Sequence, residues 1–228
     1  MSLAAPRIAL IHATALAMSP IQEAFARLWP QARGMNLLDD SLSVDRAEAG
    51  ELTESMRQRF IDLALYAKGT GCRGILFTCS AFGPAIEGAG AACGLPTLKP
   101  NEAMFEQALD AAARGTGRIG LVATFAASIE SMGAELQQMA QRRGQSIESP
   151  SLYVPEAMSD LAAGNSAMHH AKVARAVHTL AAAGCAVITL AQFSMAAAQP
   201  QAQTGLTVPV LSSPDCAVLA LKGRMTHE

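Results

Sequence analysis

The sequence predicts an α/β fold of two pseudo-symmetric halves, each a parallel sheet flanked by helices. Three observations predict it. First, an apolar run of strand length, Gly74-Ile75-Leu76-Phe77, leads into the small-residue turn Thr78-Cys79-Ser80-Ala81, with Gly71-Cys72 before it and Gly83-Pro84 after it. Second, the same pattern returns 113 residues on (71 to 184) as Gly184-Cys185-Ala186-Val187-Ile188-Thr189-Leu190-Ala191-Gln192. That register persists, since Leu95-Pro96-Thr97-Leu98 falls on Val208-Pro209-Val210-Leu211, and Arg7-Ile8-Ala9-Leu10-Ile11 resembles Arg118-Ile119-Gly120-Leu121-Val122 at an offset of 111 (7 to 118). Self-similarity at a fixed offset means one structural unit used twice. Third, short apolar runs alternate with longer helical patterns, which gives parallel strands joined by right-handed crossovers. The halves are therefore Rossmann-like.

In chain order, Ile8 to His12 is the first strand. Ser19-Pro20 can start a helix, with Ser at the N-cap and Pro at the first helical position, and it runs to about Trp29. Met35 to Leu38 is a second strand, followed by Asp39-Asp40-Ser41 and a polar loop. Thr53 opens a helix to about Lys68, in which Met56, Phe60, Leu63, Ala64 and Ala67 keep helical spacing. Gly69 and Gly71 end it. The thiol-bearing strand comes next, then a helix near Pro84–Ala92, the short strand of Leu95 to Leu98, and a helix from Asn101 to about Ala113. Gly115 and Gly117 break the chain between copies. The second copy runs through a strand at Arg118–Ala123, a helix to about Arg143, and a strand within Ser146–Tyr153. It continues with a helix Ala167–Ala183 capped by Asn165-Ser166, strands Ala186–Leu190 and Val208–Leu211, and a final helix opened by Pro214-Asp215. The chain is expected to cross near Lys99–Glu102 and Ser212–Asp215. The first half then comprises Met1–Leu98 with Ser212–Glu228, and the second Lys99–Leu211.

Composition narrows the function. Half of the 228 residues are hydrophobic, which supports a large core and argues against disorder. A net charge of −2 without a basic run argues against nucleic acid as a partner. No apolar run reaches the length of a membrane span, so no membrane is expected. Arg7 and the apolar stretch after it have the outline of a signal peptide, but the twin of this segment at Arg118–Phe125 argues for a strand. Met1-Ser2-Leu3 reads as a remnant outside the fold. The five cysteines, Cys72, Cys79, Cys93, Cys185 and Cys216, form no CxxC pair and no Cys/His cluster with zinc-ligand spacing. No metal is expected, and an odd count suits reduced thiols in a cytoplasm.

The chemistry concentrates on Cys79. A thiol at the carboxyl end of a parallel strand stands where open α/β sheets bind ligands. A helix starting near Gly83 or Pro84 would favour its thiolate. The alternative is an inert buried cysteine. Thr78, Ser80 and Ala81 offer hydroxyl and backbone donors for a carboxylate or enediolate, or simply cap the turn. Thr124 and Ser128 either bind a substrate carboxylate at a helix start or cap that helix, and Phe125 either shapes an apolar pocket or fills the core. Gln192 aligns with Cys79, so the second copy lacks the thiol; Gln192 and Ser194 can hydrogen-bond a substrate there. His12, a histidine at a strand's carboxyl end, could contact the substrate or serve as a second acid/base group in place of the missing thiol. Asp39 and Asp40 read as a solvated turn, and His169, His170 and His178 as surface residues. Cys72 and Cys185 match as packing positions at strand starts.

These residues resemble the aspartate/glutamate/hydantoin racemase superfamily. Phe77-Thr78-Cys79-Ser80-Ala81 is similar to its first-half cysteine motif, and Arg118-Ile119-Gly120-Leu121-Val122-Ala123-Thr124 with Ser128 to its strand-plus-hydroxyl motif. The resemblance implies an enzyme without metal or organic cofactor. It also implies an active site in the cleft between the halves, a small carboxylate or amino-acid derivative as substrate, and a homo-oligomer. Related enzymes include maleate isomerase and arylmalonate decarboxylase. The racemases use two cysteines on opposite faces of the substrate carbon; here Leu190-Ala191-Gln192-Phe193 replaces the second. One thiol suits protonation of a carbanion after decarboxylation, addition to a double bond, or addition to a carbonyl.

Overall fold

The computed structural model describes residues 5–226, so Met1-Ser2-Leu3 lies outside the described residues. Its contacts divide the chain into two units, Met1–Glu102 with Ala217–Glu228, and Ala103–Cys216.

The first unit is built on a four-stranded parallel sheet of order β2-β1-β3-β4: β1 Arg7–His12, β2 Arg33–Leu38, β3 Gly74–Phe77 and β4 Thr97–Leu98. Its helices are α1 Met18–Leu28, α2 Ser41–Ala49, α3 Glu54–Gly69 and α4 Gly83–Cys93. Successive side chains of a strand point to opposite faces. Ala9, Ile11, Ile75 and Phe77 accordingly share one face with Phe60 and Ala64 of α3 and Ile86 and Ala89 of α4 in a single apolar cluster. The intervening Ile8, Leu10 and Leu76 are fully buried too, which is why these strands read as continuous apolar runs.

The second unit repeats that order as β6-β5-β7-β8: β5 Ile119–Ala123, β6 Ser151–Tyr153, β7 Val187–Leu190 and β8 Val210–Ser212. Its helices are α5 Glu102–Ala113, α6 Ala126–Arg142, α7 Ala157–Ala162, α8 Ser166–Ala182 and α9 Gln199–Gln203. Ile75 pairs with Thr97 in the first sheet and Ile188 with Val210 in the second, so the sequence repeat is also a repeat of strand register. The matched glycines behave alike: Gly71 and Gly184 follow α3 and α8 at φ +78 and +83, a region that side chains with a Cβ rarely adopt. Gly120 has a different reason. A Cβ there would lie 3.1 Å from both Ile188 Cγ1 and Leu180 Cδ1, so its absence lets α8 close on the sheet.

The last helix, α10 Ser213–Thr226, returns to the first unit from Ala217 onward. Lys222 Nζ donates to the Leu28 carbonyl at 3.1 Å, and Leu221 lies against Gly74.

Three elements depart from the sequence expectations. The polar stretch after Asp40 is α2, not a loop. One fully buried residue, Leu42, anchors it, and Arg59 of α3 ties it down through Asp39, Ser41 and Asp45. The first helix begins ahead of Ser19: a 3-10 turn, Ala15–Ala17, precedes it, with Thr14 accepting from the Leu16 amide. His169 is not a surface residue. It is 0% exposed in α8, and neither ring nitrogen has a hydrogen-bond partner among the described residues.

Candidate active site

Parallel strands deliver their carboxyl ends to one edge of a sheet. In the first sheet that edge carries His12 after Ile11, Thr78 and Cys79 after Phe77, and Asp39 after Leu38. Cys79 leaves β3 in extended conformation and caps the 3-10 turn Ser80–Phe82, which runs straight into α4 with Pro84 in its first turn. The turn is held from beneath. Phe60 stacks on Phe77 before it, with ring centroids 5.2 Å apart, and packs on Phe82 after it at 4.8 Å. Cys79 is half-buried, whereas Cys72, Cys93, Cys185 and Cys216 are buried, and none of the five is in a disulfide. Burial pushes the thiols of Cys72 and Cys185 up, and that of Cys216 to about 12. A thiol so raised is protonated and unreactive at neutral pH.

His12 is tied on both sides. Nδ1 lies 2.8 Å from Thr78 Oγ1, and Nε2 lies 3.0 Å from Asn36 Oδ1. At 1% exposure the ring is desolvated, and burial lowers its pKa below 6.5 against the raising effect of Asn36. The neutral ring then donates from Nε2 to Asn36 and accepts the Thr78 hydroxyl at Nδ1. In this state His12 fixes Thr78, the residue next to Cys79. Ser80 is exposed. Ala81 lies in the 3-10 turn, and its side chain lies outside the described residues. Asp39 is not a free solvated carboxylate. Burial pulls its pKa up, but hydrogen bonds from Ser41 and Arg59 and the Arg59 charge outweigh that and hold it low.

At the carboxyl edge of the second sheet, Thr124 follows β5 and Gln192 follows β7, and their side chains meet. The Thr124 amide donates to Gln192 Oε1 at 2.7 Å, and its hydroxyl donates to the same oxygen at 2.8 Å. Thr124 is buried and Gln192 half-buried. Phe125 is 60% exposed, so it does not fill the core. Ser128 is half-buried in the first turn of α6, and Ser194 is half-buried in the 3-10 turn Phe193–Ala198. Asn36 and Phe60 are the residues that sequence reasoning missed. Phe60 carried a signal, its helical spacing, but nothing local links either residue to the strand-end turns. Among the described residues, no group of three or more His, Cys, Asp or Glu side chains is placed to hold a metal ion.

The buried histidines give a pH dependence. His169 is lowered by burial and by His170, with Asp160 opposing. Both His12 and His169 resist protonation in the folded state, so below about pH 6.5 the unfolded chain binds protons that the folded chain refuses. Stability is therefore full above that pH and falls as pH drops from about 7 to about 5, by up to about 1.4 kcal/mol per pH unit for each histidine. Asp39, whose pKa is also lowered in the folded state, contributes in the same sense, and its share is lost only below about pH 4. Melting temperatures between about pH 8 and about pH 5 should show the decline, and His169→Leu should flatten it.

The fold and this edge define a class: repeated α/β proteins with a half-buried cysteine at the carboxyl end of a central strand. A family model, Asp/Glu/Hydantoin racemase, matches residues 8–221, and the chain belongs to that family. Solved structures agree in fold. An allantoin racemase from Klebsiella pneumoniae superposes with TM-score 0.70 at 17% identity, over 97% of this chain and 88% of that one. A glutamate racemase isoform from Bacillus anthracis gives TM-score 0.70 at 15% identity, over 99% and 83%. An unliganded arylmalonate decarboxylase gives 0.64 at 18% identity, over 96% and 92%. No curated protein matches the sequence significantly. Among the described residues, no helix is long and apolar enough to cross a membrane.

Proposed function

We propose that this chain is a cofactor-independent enzyme of its family that acts on a small carboxylate or amino-acid derivative through Cys79. One observation carries the reading: of the five cysteines, the one at a strand's carboxyl end is half-buried and the other four are buried. The thiol is the acid/base or nucleophile. Thr78 and Ser80 flank it, and the Thr78 hydroxyl is oriented by His12. In the second unit, Thr124, Phe125, Ser128, Gln192 and Ser194 are the proposed candidates for substrate binding. A homo-oligomer working in a reducing cytoplasm is part of this reading.

A specific observation favours a second reading. Two-thiol racemisation moves protons on both faces of a carbon. The position that repeats Cys79 holds Gln192, which does not titrate, and its carboxamide oxygen is engaged by Thr124. A one-thiol lyase of the arylmalonate-decarboxylase kind needs only one proton donor. A binding protein that has lost catalysis needs none. The test is a thermal-shift screen of amino acids, hydantoins, maleate and malonates, followed by turnover assays on the hits. Deuterium entry at the α-carbon with loss of optical activity marks the racemase, and carbon dioxide release marks the lyase. Stabilisation without turnover marks the binding protein and overturns the enzyme reading.

A further inference from the structure

We propose that Gln192 is a donor-only contact for an anionic oxygen of the substrate, and that Thr124 is the positioning residue that makes it so. The inference rests on the small-carboxylate reading above and adds how that carboxylate is told from other groups.

β5 and β7 are neighbours, with Val122 paired to Leu190, so the segments carrying Thr124 and Gln192 leave the sheet side by side. Two donors of Thr124 converge on one atom of Gln192, the amide at 2.7 Å and the hydroxyl at 2.8 Å. A peptide N–H can only donate. The carboxamide atom facing it must therefore be the oxygen, and this chemistry settles the orientation of the group. A carboxamide is planar, so an oxygen fixed toward Thr124 turns Nε2 away from it. Among the described residues Nε2 has no hydrogen-bond partner, and Gln192 is half-buried rather than solvated. Nε2 offers two N–H donors and no lone pair. The donors of Thr124 also polarise the carboxamide and strengthen those N–H groups. What faces the ligand is thus a small, neutral, positively polarised patch. It fits a carboxylate or enediolate oxygen and disfavours an ammonium group.

The test uses malonate as probe, with binding read by calorimetry and the Gln192 side-chain amide read by nitrogen-15 NMR. In wild type the amide resonances should move on malonate addition. Gln192→Glu keeps the acceptor for Thr124 but replaces the donors by a negative oxygen, and should weaken malonate by at least about 100-fold. Gln192→Leu should weaken it about 10-fold, and Thr124→Val should shift the Gln192 resonances and weaken binding, with Thr124→Ser restoring both. Tighter binding by Gln192→Leu would show that the Gln192 oxygen merely plugs a receptor formed by Thr124, and would overturn the proposal. So would equal affinity in Gln192→Glu, resonances indifferent to Thr124→Val, or a wild type that binds no malonate. The functional reading fails separately: turnover that survives Cys79→Ala, with the malonate response intact, sinks that reading and leaves this one standing.

Discussion

Cys79→Ala is expected to lower turnover by at least about 10³-fold on any substrate that the screen identifies, while ligand binding persists. The reason is chemical. On the proposed function, alanine removes the group that moves the proton or forms the bond, and it leaves the rest of the turn in place. Cys79→Ser should leave only a trace of activity. The hydroxyl keeps the shape but is a far weaker acid than a thiol, whose ordinary pKa is about 8.5. The same contrast should appear without any substrate. Brief iodoacetamide treatment followed by peptide mapping should label Cys79 first, because the other four thiols are buried and three of them are raised by that burial. Uniform labelling, Cys79 labelled last, or full turnover in the alanine variant would remove Cys79 from the chemistry.

Phe60→Ala is expected to cost about 3–5 kcal/mol of stability, a large share of the roughly 5–15 kcal/mol that holds a domain together. Phe60 is 2% exposed and contacts Phe77 and Phe82, the two rings that bracket the Cys79 turn. Its removal leaves a cavity beneath that turn as well as losing apolar burial. Two readouts are therefore expected to move together. The melting temperature should fall by roughly 10 °C, and the alkylation rate of Cys79 should change as its turn loses support. Phe105→Ala provides the control, because Phe105 is equally buried but belongs to α5 in the other unit. It should lower the melting temperature without altering Cys79 reactivity. If both variants change Cys79 reactivity alike, Phe60 has no special hold on the turn.

Much of the fold is legible in the sequence because its signals are local. The strand Gly74–Phe77 is a run of apolar residues buried on both faces, and such runs need no partner to be recognised. The repeat did more. Its offset of 113 aligned Ile75 with Ile188 and Thr97 with Val210, and the two sheets pair Ile75 with Thr97 and Ile188 with Val210 in the same register. The elements that escaped are polar or short. Helix α2 buries one residue, Leu42, and is held by Arg59 from another helix, so its own sequence carries almost no apolar period. The burial of His169 escaped for a similar reason: a histidine beside another histidine on a helix looks solvated until a neighbouring element covers it.

The candidate site divides in the same way. The sequence by itself determined the family-like thiol motif, its place at the end of a central strand, and the replacement of the second thiol by Gln192. Each is a matter of which residue follows which strand. Only the tertiary structure decided what those side chains do to one another. Thr78 and His12 are 66 residues apart, as are Asn36 and His12 by 24, and Thr124 and Gln192 by 68. Parallel crossovers bring such distant strand ends to one edge, and hydrogen bonding is directional over about 3 Å, so no pattern in the chain records it. That is why the sequence could nominate Gln192 as a hydrogen-bonding candidate in place of the missing thiol, while only the structure shows that its carboxamide oxygen is the end engaged by the two donors of Thr124.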